Sequence, residues 1–284
     1  AGVGRENLPV LLEAGTRIGP FDPSLRKRLG LPGSAGVYAG MHDHPATVFL
    51  GSLEAEGEDV LVNPAGTTES AAAWSADAGR RADLVRSAPE RGVNTESAWT
   101  RDTLALVAYP TLSGKILDTA RGFGVLPPDS PGEEEPPVVA VPSRRRLVVE
   151  DRGFVRQTGS RKATFDDFWK AVILSTQFEF RRALEDMELL LKRKFARGVL
   201  LFGGQAHNEK LCRLKAAASG RTVVAYPGVN GAAFGAAARI AGIKPDLDAS
   251  RRVFEASDED LKKFDIRYRR YRETCENVER KEAR

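Results

Sequence analysis

The chain has 284 residues, enough to bury a sizeable core in one large or two modest domains. Its 42% hydrophobic and 29% charged residues are the make-up of a globular protein, and the lack of any run of eighteen apolar residues excludes a membrane-spanning helix. Forty-three basic and thirty-nine acidic side chains nearly cancel to +4, and the basic clusters (80–86, 143–146 and 267–272) are short and interleaved with acids, so they read as solvated faces and not as a nucleic-acid footprint.

The first residues, "AGVGRENLPVLLEAG", lack the basic segment and hydrophobic core of an export signal, and Cys212 and Cys275 stand too far apart in sequence to suggest a disulfide framework. Both features fit a reducing cytoplasm. Residues 1–36 alternate short apolar runs with Gly and Pro, and "VYAG" (37–40) reads as a buried strand. It leads into "GMHDHPATVFLGS" (40–52), where Asp43 stands between His42 and His44. The small and apolar residues of 45–53 predict a helix of about two turns, with Pro45 in the first turn, where its missing N–H costs nothing. "DVLVN" (59–63) predicts a strand, followed by the turn "NPAGTTES" and a helical stretch from about Ser70.

"LPPDSPGEEEPP" (126–137) carries too much Pro and acid for a core element and reads as an exposed loop. "VVAVP" and "RLVVEDRGFVRQ" after it predict a hairpin around Asp151–Gly153. From Thr164 the period becomes helical: Phe165, Phe168, Trp169, Val172, Ile173, Thr176, Phe180, Leu184 and Met187 share a face, and Thr164 with Asp167 forms a capping box. "GVLLFGGQAHNEKLCRLKAAASG" is then a strand, a glycine turn and an amphipathic helix ending at Gly220. "RTVVAYPG" and "NGAAFGAAARIAG" add a further strand and helix, the grammar of an α/β layer. The tail reads as a charged helix with Phe264, Tyr268 and Tyr271 as its apolar stripe.

Three stretches carry candidate ligand chemistry. Gly203 and Gly204 follow a buried strand and precede a helix, so a ligand can approach the backbone closely there; a tight strand-to-helix turn is the alternative. Gly66, Thr67 and Thr68 offer a free turn, hydroxyls and backbone N–H groups suited to a phosphate, or equally a helix cap. Gly235, inside a helix, costs about 1 kcal/mol relative to Ala, which a sequence accepts where another helix or a flat ligand must pack close. His42 and His44 point the same way on an extended segment, as metal ligands would, but no third histidine or cysteine lies nearby, so no metal site is read here.

The order of these motifs, from "GMHD" through "VLVNPAGTTE", "LSGKILD" and "LLFGGQAHN" to "GAAFGAAARIAG", resembles the FGGY family of carbohydrate kinases over nearly the whole chain. The resemblance implies the two-lobed, actin-like ATPase (ribonuclease H-like) α/β fold. Residues 1–53 would be the remnant of the sugar-binding lobe and 58–284 the nucleotide-binding lobe. It also implies roles. Asp43 matches the general base that takes the proton of the attacking sugar hydroxyl, and His42 and His44 match the neighbouring substrate-binding positions. Gly66, Thr67 and Thr68 match the phosphate loop; Gly114, Asp118, Gly203, Gly204, Gln205 and Asn208 match nucleotide-contacting positions. ATP and Mg2+ are the implied cofactors, a ketose, deoxy-ketose or polyol the implied substrate, and a homo-oligomer is possible.

The chain departs from the family pattern in two places. Gln205 and His207 replace a common glycine and arginine. The Asp-x-Gly-Thr hairpin that opens the first lobe is missing; Glu13–Thr16 imitates it, but "GPFDP" interrupts the strand that should follow. The expectation is the C-terminal part of a sugar kinase, inefficient at phosphorylation by itself because half of its positioning groups are elsewhere. Two other classes stay open: a non-catalytic nucleotide-binding module or pseudokinase, and a metal-dependent hydrolase centred on His42, Asp43 and His44.

Overall fold

The computed structural model describes residues 7, 9–55, 59–111, 113–124, 136, 138–141, 154–157 and 162–282. Side-chain alternation in its strands explains the layering. In β9 (Gly198–Phe202), Val199 and Leu201 enter one hydrophobic core while Leu200 and Phe202 enter another, so the strand is buried on both faces. The same division holds in β3 (Val60–Pro64), where Leu61 faces one core and Val60 and Val62 the other. A sheet sealed on both sides needs helices on both sides.

Seven strands form that sheet. β3, β4 (Glu69–Ser75) and β6 (Leu104–Thr111) make an antiparallel meander, with β5 (Val93–Ser97) pairing β6 at the edge. On its other side β3 pairs in parallel with β9, and β9 with β10 (Val223–Tyr226); β11 (Arg252–Phe254) closes the far edge antiparallel to β10. One face is covered by α5 (Phe165–Leu191), α6 (Glu209–Ser219) and α3 (Arg81–Ser87), through Phe180, Leu184, Met187, Cys212, Ala216 and Leu84. The other face is covered by α2 (Asp43–Ala55), through Val48, Leu50 and Ala55. Among the described residues no helix is long and apolar enough to cross a membrane.

The long helix behaves as its period predicts. Both arms of the Thr164–Asp167 capping box are made, and Ile173, Thr176, Phe180, Leu184 and Met187 are buried; Phe165, at the first turn, is exposed. The glycine punctuation also holds: Gly220 ends α6 and Gly242 ends α7 (Gly231–Ala241), each in the left-handed region. In α8 (Asp258–Glu282), Phe264, Tyr268 and Tyr271 turn inward onto α4 (Ser113–Gly122), α5 and α6.

Four expectations need correction. The stretch from Ser70 is the strand β4 and not a helix. Its alanines, excellent helix formers alone, are the side chains small enough for a strand pressed by α2 on one face and α5 on the other, and all seven residues are buried. "NPAGTTES" is therefore a hairpin turn between β3 and β4, not a strand-to-helix turn. The helix after the histidines is thirteen residues long and begins at Asp43 itself, with Pro45 in its first turn. The strand at 37–40, read as buried, is β2 (Gly36–Tyr38), which pairs only with β1 (Arg17–Pro20) in a separate two-stranded sheet and leaves Val37 exposed. The hairpin turn proposed at Asp151–Gly153 lies outside the described residues, as does the 126–137 loop apart from the buried Pro136. What is described is β7 (Val138–Val141) pairing antiparallel with β8 (Phe154–Gln157).

Candidate active site

Three backbone loops separated in sequence are locked together by close approach. The β3–β4 turn begins at Ala65, whose N–H donates to Phe202 O at 2.8 Å and whose carbonyl accepts from Gln205 N at 3.3 Å. Gly203 lies against that carbonyl: a Cβ there would stand 2.7 Å from Ala65 O, and its φ of +98° is unsuited to other residues. Gly114, at the start of α4, lies against the tip of the same turn, where a Cβ would meet Gly66 O and come within 2.8 Å of Thr67 Cα. Lys115 N donates to Thr67 O at 3.3 Å, and Gln205 Nε2 donates to Ser113 Oγ at 2.6 Å. Behind the turn, Lys215 of α6 forms an ion pair with Glu69, the residue after Thr68; both side chains are wholly buried, and the ammonium also lies 4.0 Å from the Phe180 ring centroid.

In front of this junction lies a cleft of about 370 Å3. The turn side contributes Pro64, Ala65, Gly66, Phe202, Gly203 and His207, and the strand-to-helix turn after β10 contributes Gly228–Ala232. Asp43, His44 and Thr47, from the first turn of α2, form the opposite wall. The two walls are held at a fixed separation by a helix–helix contact. Gly231 and Gly235 of α7 lie against Thr47 and the Ala46 carbonyl of α2; a Cβ at Gly235 would meet Ala46 O and approach Ala46 C to 2.7 Å. Helix packing, not a flat ligand, is thus the reason for Gly235. On its other side α2 approaches the sheet closely at Gly51, where a Cβ would meet Val62 Cγ2.

The predicted residues divide into three sets. Asp43, His44, Gly66 and Gly203 line the cleft together. His42, Thr67, Thr68 and Gly204 neighbour it in sequence without lining it, His42 and Thr67 being exposed and Thr68 half-buried. The remainder are turned to other tasks: Gly114 supports the turn, Gln205 is buried against Ser113, Asn208 caps α6 by accepting from Leu211 N, and Asp118 is exposed beside Arg121. His207, one of the departures, accepts from Gly228 N at 3.0 Å and so ties the two glycine turns to each other.

Sequence reasoning missed the surroundings of Asp43. Its Oδ1 accepts from His44 N–H at 2.9 Å and stands 3.3 Å from His42 Nε2 and 3.4 Å from His44 Nδ1. Tyr109 of β6 places its hydroxyl 3.2 Å from His44 Nδ1 and 3.5 Å from Glu96 Oε1 of β5, and the other Glu96 oxygen is 3.6 Å from His42 Nδ1. Burial pushes the His44 pKa down, and Asp43 only partly opposes this, so the ring is neutral at physiological pH. Burial, then the charges of Glu96 and Asp43, push the Tyr109 phenol up to about 12, so it remains a hydrogen-bond donor. No local spacing announces Glu96 or Tyr109; only the pairing of β5 with β6 brings them to the histidines.

A mixed sheet with helices on both faces and a cleft beside its glycine turns is the α/β architecture of the actin-like ATPase fold, which the resemblance implied and the family match supports. Residues 67–242 match the C-terminal domain of the FGGY family of carbohydrate kinases, and the chain belongs to that family. Among solved structures, the fold is similar to that of a xyloylose kinase from Brucella ovis (TM-score 0.72, 17% identity), covering 98% of this chain and 59% of that one. It is also similar to a ligand-bound xylulose kinase from Lactobacillus acidophilus (0.67, 15%; 97% and 58%) and to Plasmodium falciparum glycerol kinase with ADP (0.67, 14%; 95% and 56%). The chain thus spans under three-fifths of the length of these kinases. No curated protein sequence matches it.

Proposed function

We propose that this chain carries the base and the nucleotide-binding half of a kinase that moves the γ-phosphoryl group of ATP to a hydroxyl of a ketose, deoxy-ketose or polyol. The single observation that supports this reading is the cleft itself, in which the Asp43 carboxylate faces Gly66 and Gly203. The lining suits a triphosphate. Two glycines let phosphate oxygens reach the backbone, and the first N–H groups of α7, an eleven-residue helix starting at Gly231, open into the same space. Asp43 is the only carboxylate among the lining residues, and so the one acidic group of this wall that would meet a nucleotide-bound Mg2+.

In this reading ATP supplies the phosphoryl group, and the protein positions and deprotonates the acceptor. Asp43, its side chain 67% exposed, accepts the proton of the attacking hydroxyl. His42 and His44 offer ring nitrogens to neighbouring hydroxyls, with His44 held by Tyr109. Thr67 and Thr68 add hydroxyls at the tip of the phosphate turn, and Gly204, Gln205 and Asn208 shape the turn at the nucleotide end, with Gly114 and Asp118 on the flanking helix.

Calorimetry of the chain with MgATP tests the nucleotide half. Binding is expected, unchanged by Asp43→Asn and lost in Gly203→Val. Acceptor-dependent ADP release from the kinase containing this chain should fall about 100- to 10,000-fold in Asp43→Asn. Absence of ATP binding, with a hydrolytic activity that a chelator removes, would replace the kinase by the metal-dependent hydrolase.

A further inference from the structure

We propose that His42, Asp43 and His44 form a chelating site for a divalent cation of the zinc class, and that an ion held there takes Asp43 out of catalysis. The second half rests on the reading of Asp43 as the base. One donor atom from each of His42, Asp43 and His44 lies within 4.8 Å of the other two, close enough for a single ion to draw them together. The two edges that meet at Asp43 Oδ1 measure 3.3 and 3.4 Å. A tetrahedral ion with bonds of about 2.0–2.1 Å sets its ligands about 3.3–3.4 Å apart, so these edges need almost no movement.

The second observation is the orientation of the first imidazole. His42 Nδ1 stands 3.6 Å from Glu96 Oε2, and a closure of about 0.5 Å would make this the carboxylate–histidine hydrogen bond that orients a ligating ring. His44 gives up one contact on binding an ion, the Tyr109 hydroxyl 3.2 Å from Nδ1; that hydroxyl already has Glu96 Oε1 within 3.5 Å as its other partner. His42 and Asp43 are more than half exposed, so an ion enters from solvent and keeps water at its remaining position.

Two imidazoles and one carboxylate select the later first-row metals over Mg2+, which prefers six oxygens. A dication on Asp43 Oδ1 draws charge from both carboxylate oxygens, so the free oxygen is a much weaker base toward an incoming hydroxyl. Bound zinc therefore opposes phosphoryl transfer at Asp43, while the glycine junction that faces the nucleotide is untouched.

The test is a zinc chloride titration of the whole chain against a chromophoric chelator, with MgCl2 as the comparison cation. One ion per chain is expected at micromolar or better affinity, with no competition from Mg2+. His42→Ala and His44→Ala should each weaken binding at least about tenfold, and Glu96→Gln about tenfold. His207→Ala, which changes the only other histidine, should leave the affinity unchanged. Thermal melts of the variants keep a folding defect separate from a lost ligand. Zinc binding weaker than millimolar, or insensitive to His42→Ala and His44→Ala, overturns the site. Calorimetry with MgATP separates the two readings. ATP binding without zinc binding ends this proposal alone; zinc binding without ATP binding leaves the chelate but ends its role as a block on a kinase base.

Discussion

The front and the body of the molecule are built on opposite terms. Among the described residues before Pro45 none is buried, and Val10, Leu11, Ile18 and Leu29 are more than half exposed. From Pro45 onward the chain closes its own core on both faces of the sheet and buries even an ion pair. The candidate base stands at the boundary, on a helix whose first turn faces the cleft and whose later turns are packed on the sheet. The comparison teaches that the glycine junction is held from within, whereas the front segment gains little from folding against this chain.

The difference can be broken most severely at Lys215. Lys215→Met leaves Glu69 alone behind the β3–β4 turn, an expected loss of about 3–5 kcal/mol in urea unfolding, and adding Glu69→Gln should recover much of it. Next comes Gly235→Ala, which forces α7 off the Ala46 carbonyl at a cost of about 1–3 kcal/mol. Glu54, near the end of α2, sharpens the contrast through pH. Burial pushes its carboxyl up against the opposing pull of Lys244 and the Tyr226 hydroxyl, so the folded chain holds this proton more tightly than the unfolded one. Its contribution to stability is thus lost as pH rises from the ordinary carboxylate range toward neutrality. Urea midpoints at about pH 4 and 7 should drop more for the parent chain than for Glu54→Gln. The smallest effect is expected in front: Ile18→Ser should stay within about 0.5 kcal/mol in the same measurement, because the side chain is already 59% exposed.

What was legible in the sequence followed from local physics. Periodicity and capping identified α5 and its Thr164–Asp167 box, and glycines marked the ends of α6 and α7. The turns at Gly66 and Gly203 were likewise visible from their glycines, although the strand after Gly66 was not, and Asp43 was singled out through the family resemblance. The failure at β4 has the opposite origin: its alanines are chosen by two helices distant in sequence, and their local preference misleads. Glu96, Tyr109 and the Lys215–Glu69 pair escaped for the same reason. Each partner is separated from the other by a strand pairing or a helix docking that no short window contains.

The contact of Gly235 with Ala46 has a mechanical consequence. Asp43 precedes that contact by less than one helical turn, and the start of α7 precedes it by barely more than one, so both ends of the cleft are measured from one rivet. Jostling of the two helices moves Asp43 and the start of α7 as a single jaw.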